Sequence, residues 1–282
     1  MQNLITSIDL FLPQILLGSL LGLVLTSLGV IMVLRNMSFF GITLSQVAST
    51  SLAFTLFLGI ENEFAIIALS SAIIIPIGYL SGFKDKTDIL LGIIFVSFGA
   101  LSQLLVTLGG NVQNHLLQSY FGDILTSQVS FHSYSVYLVI FSFLMYIILY
   151  KKILFYSFDQ SEYITRKNMK YIDLFFLLII TISLSVSVRL LGSFYSAAQL
   201  LIPAFTCITV FRSMRMVFIF AGLLSLLSTI LGFLISLVGT NYRGEEIYFP
   251  TSSTIVVLLS LLSAFVLGMH YFIRHHIIFR KK

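Results

Sequence analysis

Charge is what this sequence has least of. Only 10% of its 282 residues are charged, against about 25% in a soluble domain, while 58% are hydrophobic. With a mean hydropathy of +1.03, the chain carries more apolar surface than a water-soluble core could hide. That excludes a soluble protein and leaves an integral membrane protein. Cysteine occurs once, at Cys207 within an apolar run, so no intramolecular disulfide can form and the thiol reads as small apolar filler. The first ten residues hold no Lys or Arg. The basic start of a cleavable signal peptide is therefore missing, and the first apolar run is too long for one.

The apolar runs themselves lack central charges. All eleven acidic residues, Asp9, Asp88, Asp123 and Asp173 among them, lie near run ends or between runs. Proton relays and charge-paired secondary transporters depend on ionisable groups inside the membrane, so both are disfavoured. No GxxxxGK[ST] segment occurs, which excludes ATP binding by a phosphate loop of that type. If the chain moves a solute uphill, a partner must supply the energy. An intramembrane enzyme would need a nucleophile beside a base. The histidines His115, His132, His270, His275 and His276 sit outside the runs or at their ends, and "HYFIRHH" has no carboxylates to complete a di-iron set. That segment reads as a basic end facing anionic headgroups. The formal net charge of +5 is spread over many loops, which suits anionic lipid and argues against nucleic acid.

What the sequence has is apolar runs. Nine are long enough to consider as spans, at about 11–34, 39–59, 63–82, 89–109, 131–150, 172–190, 196–211, 217–238 and 251–273. The seventh is the shortest and could be re-entrant. With the N-terminus outside and all nine runs spanning, 14 of the 16 basic residues fall on the inside and only Arg189 and Arg243 fall outside. If the seventh run did not span, the basic C-terminus would move outside. The expectation is an all-α, polytopic membrane helix bundle of nine spans, with eight as the alternative, forming a single domain over residues 1–282. Two loops are longer than the rest. Residues 110–130 are expected outside or partly re-entrant. Residues 151–171 are expected in the cytosol, with a short amphipathic helix around 158–168.

One stretch is polar where an apolar helix is expected: "MSFFGITLSQVAST", Met37 to Thr50. Thr43, Ser45, Gln46, Ser49 and Thr50 read either as helix-packing residues, whose small hydroxyls let helices approach and hydrogen-bond, or as the lining of a polar pathway. Glu61, Glu63, Glu245 and Glu246 form an acidic outer rim, read either as solvated loops or as a surface that docks a partner and attracts cations.

The motifs resemble a known family. "GVIMVLRNMSFFGITLS" resembles a segment of the permease subunits of ABC importers for zinc, manganese or ferrous iron. In that family a helix ends in VLR-x-M-x-x-x-G and the next opens on G-D-A-L-S-H-A-x-L-P-G. Val33, Leu34, Arg35, Met37, Gly41, Leu44, Ser45 and Ala48 fall in register. "YFGDIL", "FDQSEYITRKNMKYIDL", "SAAQLLIPAFT" and "FPTSSTIVV" resemble later motifs of the family in the same order, over roughly residues 11–268.

The resemblance implies a dimer with a second permease subunit, identical or different. It implies two cytosolic ATPase subunits that hold ATP and Mg, with no cofactor on this chain and no enzymatic activity of its own. It implies an extracytoplasmic metal-binding protein and a bacterial inner membrane location; the spread of basic residues sets the expectation of an N-terminus outside and a C-terminus in the cytosol. It also implies that residues 155–170, with Phe158, Asp159, Glu162, Tyr163 and Arg166, form the element that couples to the ATPases.

The family's Asp and His, four apart on one helix face, can hold a divalent cation. Here those positions are Ile42 and Gln46, so the metal-ligating pair is missing. Three explanations stay open: a sister permease that keeps the pair, a pathway that merely permits metal while the binding protein selects it, or a different solute. The alternative functions are a similar importer for a non-metal solute or metal chelate and, more distantly, a secondary transporter or an intramembrane enzyme.

Overall fold

Apolar runs in lipid must satisfy their own backbone hydrogen bonds, and this chain does so almost entirely as helix. The computed structural model describes residues 2–60, 62–81, 87–108, 134–158, 169–238, 240–242, 245–247 and 249–279. The helices are α1 (Gln2–Leu34), α2 (Ser38–Phe57), α3 (Glu63–Ser81), α4 (Thr87–Leu108), α5 (Tyr134–Phe158), α6 (Met169–Val210), α7 (Met214–Leu237) and α8 (Thr251–Phe279). Between α7 and α8 two short strands, β1 (Thr240–Tyr242) and β2 (Glu245–Ile247), pair antiparallel with Thr240 opposite Ile247.

The long element α6 holds the sixth and seventh apolar runs. It is broken at Gly192, whose φ of 83° and ψ of 165° belong to a region open almost only to glycine. The Oγ atoms of Ser187 and Ser196 lie 2.7 Å apart across this break. Nine residues of straight helix would separate them by roughly 13 Å. The chain therefore doubles back at Gly192.

Neighbours along α1 give the direction of each limb. Asp173 pairs with Arg35, just past the end of α1, while Leu191 lies beside Gly18. The first limb of α6 thus runs against α1. On the second limb the Tyr195 hydroxyl donates to the Gly18 carbonyl, and Gln199 meets Thr26. Further on, Ala204 and Cys207 pack with Val30, and Phe211 borders the same cluster with Val33 and Leu34. The second limb returns in parallel with α1, so the seventh run crosses the bundle rather than dipping into it.

The remaining helices alternate in the same way. Val217 and Ala221 of α7 share the Val30 cluster, and Phe233 reaches Gly18. Ser252, at the start of α8, donates to the Leu191 carbonyl at 2.6 Å. Thr43 and Thr50 of α2 bond to the carbonyls of Leu91 and Phe98, so α2 and α4 rise together. Helix α3 begins where Ile66 packs with Ala48, Leu52 and Val188. Helix α5 begins at the Phe64–Tyr134 ring contact and ends at Arg35, which bonds Ser157. The described residues thus cross the bundle nine times in alternating directions, although they are counted as eight helical elements, one of them broken at Gly192. Among the described residues, seven helical stretches are long and apolar enough to cross a membrane, one of them the 40-residue Tyr171–Val210, and Phe64–Ile77 is a shorter apolar helix.

Helices α1, α2 and α6 form the centre, with Leu21, Leu25, Leu44, Val47, Ile180 and Leu184 buried together. Helices α4, α5 and α8 turn side chains such as Val96, Phe141 and Phe265 outward, as lipid-facing helices do. The turns follow backbone chemistry. Asn36, with φ 56°, ends α1 with Met37 N–H donating to the Met32 carbonyl, and Gly59, with φ 72°, ends α2 with Ile60 N–H donating to Thr55. Both are left-handed caps that satisfy orphan carbonyls.

Several boundaries differ from expectation. Helix α5 continues through Lys151 and Lys152 to Phe158, and α8 continues past Ile273 to Phe279. Long basic side chains can snorkel from a helix end into the interface, so they do not mark where the helix stops. The loop carrying Glu245 and Glu246 contains a β-hairpin rather than irregular chain.

Candidate functional site

The polar stretch of α2 lies inside the bundle. Thr43, Ser45, Gln46, Ser49 and Thr50 are all buried, as are Ser51 and Thr55. Thr43 Oγ1 donates to the Phe39 carbonyl at 3.0 Å and lies 3.4 Å from that of Leu91. Thr50 Oγ1 lies 2.9 Å from the Gln46 carbonyl and 2.8 Å from that of Phe98 on α4. Ser45 donates to the Ile42 carbonyl, Ser51 to Val47 and Thr55 to Ser51. The Gln46 amide lies against Gly99, where a Cβ would stand 3.6 Å from Nε2. Ser49 Oγ is fully enclosed and finds no hydrogen-bond partner.

The stretch therefore does two things. Thr43 and Thr50, seven residues apart and so on one face, tie α2 to α4 through backbone carbonyls. Ser49 keeps an unspent hydroxyl inside the bundle. Ile42 is half-buried, one turn before Gln46. Hydrocarbon at the first of these positions offers no donor atom, and an amide oxygen at the second suits a hard cation better than zinc. Among the described residues no three His, Cys, Asp or Glu side chains come together as a metal site.

A second polar seam, between α1, α6 and α7, was not singled out by the sequence. Thr26 Oγ1 donates to the Gln199 carbonyl at 3.0 Å, and Gln199 Nε2 donates to Thr229 Oγ1 at 3.0 Å. Thr229 in turn donates to the Ser225 carbonyl, and the Tyr195 hydroxyl to that of Gly18. The three helices fit because Gly22 leaves room for Ser225 Oγ and Tyr195 OH, which would stand 2.8 and 2.9 Å from a Cβ there. The available signal was spacing: Tyr195 and Gln199 are one turn apart, as are Ser225 and Thr229.

The outer-rim residues fall at one end of the bundle. Glu63 opens α3 and Glu245 and Glu246 lie on β2, all at the Gly192 end, while Glu61 lies outside the described residues. Phe158 closes α5 at the opposite, Arg35 end. Asp159, Glu162, Tyr163 and Arg166 lie outside the described residues, as does Asp123.

Similar proteins cover the same length. The zinc uptake system membrane protein ZnuB of Haemophilus influenzae is 29% identical over 257 residues, spanning 89% of this chain and 97% of its own. The manganese transport system membrane protein MntC of Listeria monocytogenes is 23% identical, spanning 90% of this chain and 91% of its own. The manganese import system permease protein ScaB of Streptococcus gordonii is 26% identical with the same coverage. Among solved structures, PsaBC from Streptococcus pneumoniae in complex with Fab superposes with a TM-score of 0.73 over 94% of each chain at 22% identity. An inward-facing putative metal-chelate type ABC transporter gives 0.61 at 17% identity, over 94% of this chain and 90% of its own. Residues 7–271 match the ABC 3 transport family, and with nearly the whole bundle inside that match the chain belongs to this family.

Proposed function

We propose that this chain is the transmembrane permease subunit of an ATP-driven importer for divalent metal ions: zinc, manganese or ferrous iron. The observation that carries the reading is the full-length likeness to membrane subunits named for zinc and manganese uptake. Partner ATPases with ATP and Mg would dock at the Arg35 end, around residues 155–170. A metal-binding protein would deliver its cargo at the Gly192 end, beside Glu61, Glu63, Glu245 and Glu246. A second permease, identical or different, would complete the pathway.

The direction of insertion follows from charge. The loops and tail at the Arg35 end carry 14 of the 16 basic residues, so that end belongs in the cytosol of a bacterial inner membrane and the N-terminus outside. Alternating access would come from two permeases rocking as the ATPases close and open. Thr43, Ser45, Gln46, Ser49 and Thr50 are the pathway candidates on α2. A second reading, import of a metal chelate or non-metal solute, is favoured by one observation: Ile42 and Gln46 stand where a ligating pair would be.

The test is reconstitution of the chain with its co-purifying partners in proteoliposomes. ATP-dependent uptake of labelled zinc or manganese is the expected result. Uptake that follows a proton gradient without any ATPase would remove the proposal. Restoring the pair with Ile42→Asp and Gln46→His probes the same helix. The double variant is expected to bind divalent metal at least about tenfold tighter than the parent by calorimetry, because two ligands one turn apart converge on one ion. Unchanged affinity would show that these positions do not face the pathway.

A further inference from the structure

Three helix ends meet at one side chain. Arg35, 12% exposed, follows α1; its Nη1 lies 2.8 Å from Asp173 Oδ1 near the start of α6. Its Nε donates to Ser157 Oγ at 3.0 Å near the end of α5, and Nη2 lies 3.5 Å from the Ile153 carbonyl. Ser157 passes the contact on, donating to the same Ile153 carbonyl at 2.8 Å. The guanidinium carbon stands 5.0 Å from the centre of the Phe176 ring, within cation–π range. Each of the three guanidinium nitrogens thus has an acceptor, and the planar fork of arginine fills the site in a way the point charge of lysine cannot.

The position of this cluster matters more than its strength. Ser157 is one residue from the end of α5, and Asp173 is four residues into α6. Arg35 therefore grips both stems of the segment 159–168. On its other side Arg35 sits in the turn that begins α2, held rigid by the Met37 to Met32 hydrogen bond and the left-handed Asn36. Helix α2 carries the buried polar stretch and is tied to α4.

We infer that Arg35 is a positioning residue for energy coupling. It fastens both stems of segment 159–168 to the α1–α2 turn, so that a displacement of that segment moves α2 and its polar stretch. This rests on the reading that a partner ATPase docks at that segment. A group that only stabilised the fold would affect assembly; a coupling group affects how much solute moves for each ATP spent.

The assembled complex in proteoliposomes distinguishes the two, with metal uptake and ATP turnover measured together for the parent, Asp173→Asn and Ser157→Ala. Asp173→Asn keeps the shape of the acceptor and removes its charge, leaving Arg35 partly enclosed without a counterion. The expected result is an intact complex whose ATP turnover stays within about twofold while uptake per ATP falls about tenfold or more. Ser157→Ala, which leaves the ion pair in place, is expected to lower uptake per ATP by only about threefold. Unchanged uptake per ATP in both variants would overturn the inference, and so would loss of the assembled complex in both, which would assign the cluster to folding alone. A parent chain that never binds an ATPase would instead remove the functional reading beneath it.

Discussion

Replacing Gly29 by alanine is expected to prevent this chain from folding into a stable bundle. A Cβ at Gly29 would overlap the Leu200 carbonyl and stand 3.1 Å from the Leu200 Cα. The obstacle is backbone in the middle of α6, so no side-chain rotamer change relieves it. The helices would have to separate along a seam that also holds the Thr26–Gln199 and Tyr195–Gly18 hydrogen bonds. In lipid, association of helices depends on close packing and interhelical hydrogen bonds, since apolar surface gains little by leaving hydrocarbon. The loss should reach about 3 kcal/mol or more, the upper end for an overpacked core. It would be read as disappearance of the monodisperse peak in detergent size-exclusion chromatography. Gly268→Ala is the control, because nothing lies within 4 Å of a Cβ there. That variant should behave as the parent, helped by up to about 1 kcal/mol of helix propensity. If Gly29→Ala stays monodisperse with an unshifted melting temperature, the α1–α6 approach is wider than described.

The second large effect is expected at Gly192. Any side chain there meets a backbone conformation that costs of order 1–3 kcal/mol outside glycine. The strain has a direct exit, because straightening α6 would restore ordinary helix geometry. The bend can be followed by chemistry. Ser187 and Ser196 touch across it, and the single native thiol, Cys207, is buried elsewhere. In a Cys207→Ala background, Ser187→Cys with Ser196→Cys should form a disulfide readily, since the Oγ atoms that the sulfurs replace lie 2.7 Å apart and a disulfide joins sulfurs about 2 Å apart. Adding Gly192→Ala should reduce that crosslinking about fivefold or more, in proportion to the fraction of chains whose limbs have swung apart. Equal crosslinking with and without Gly192→Ala would mean that packing against α1 and α8 alone sets the bend.

The contrast between these two glycines shows what the sequence could and could not convey. Nine apolar runs were legible because lipid imposes a length on each crossing, and the alternation of basic loops favours nine over eight. The reversal between the sixth and seventh runs was legible as well, since those runs were read as ending at 190 and beginning at 196. That it is concentrated in one residue was not, because Gly18, Gly22 and Gly29 sit in helix as readily as Gly192 sits in a turn. The contacts across α6, chiefly the Tyr195–Gly18 and Ser252–Leu191 hydrogen bonds, show how tightly the chain turns.

The polar stretch of α2 was visible in composition, and helix packing was one of its two readings, but the partners were not. That Thr43 and Thr50 serve as ties to α4 depends on which carbonyls α4 presents, 48 residues away in each case. Likewise Arg35 stood out as part of a motif, yet its partner Asp173 is 138 residues further on. Ion pairs between helix ends are set by which ends the fold brings together, which no local pattern records. The departure at Ile42, by contrast, needed only the sequence, since a side chain without a donor atom cannot become a ligand in any fold.

Helix α2 hides more polarity than its burial suggests. The hydroxyls of Thr43, Ser45, Thr50, Ser51 and Thr55 all lie against carbonyls three or four residues earlier. Ser45, Ser51 and Thr55 donate within the helix, while Thr43 and Thr50 also lie within reach of the Leu91 and Phe98 carbonyls of α4. A low-dielectric interior penalises most a polar group left without a partner. The helix thus meets most of its polar demand from its own backbone, and of the six hydroxyls from Thr43 to Thr55 Ser49 is the one that keeps its demand open.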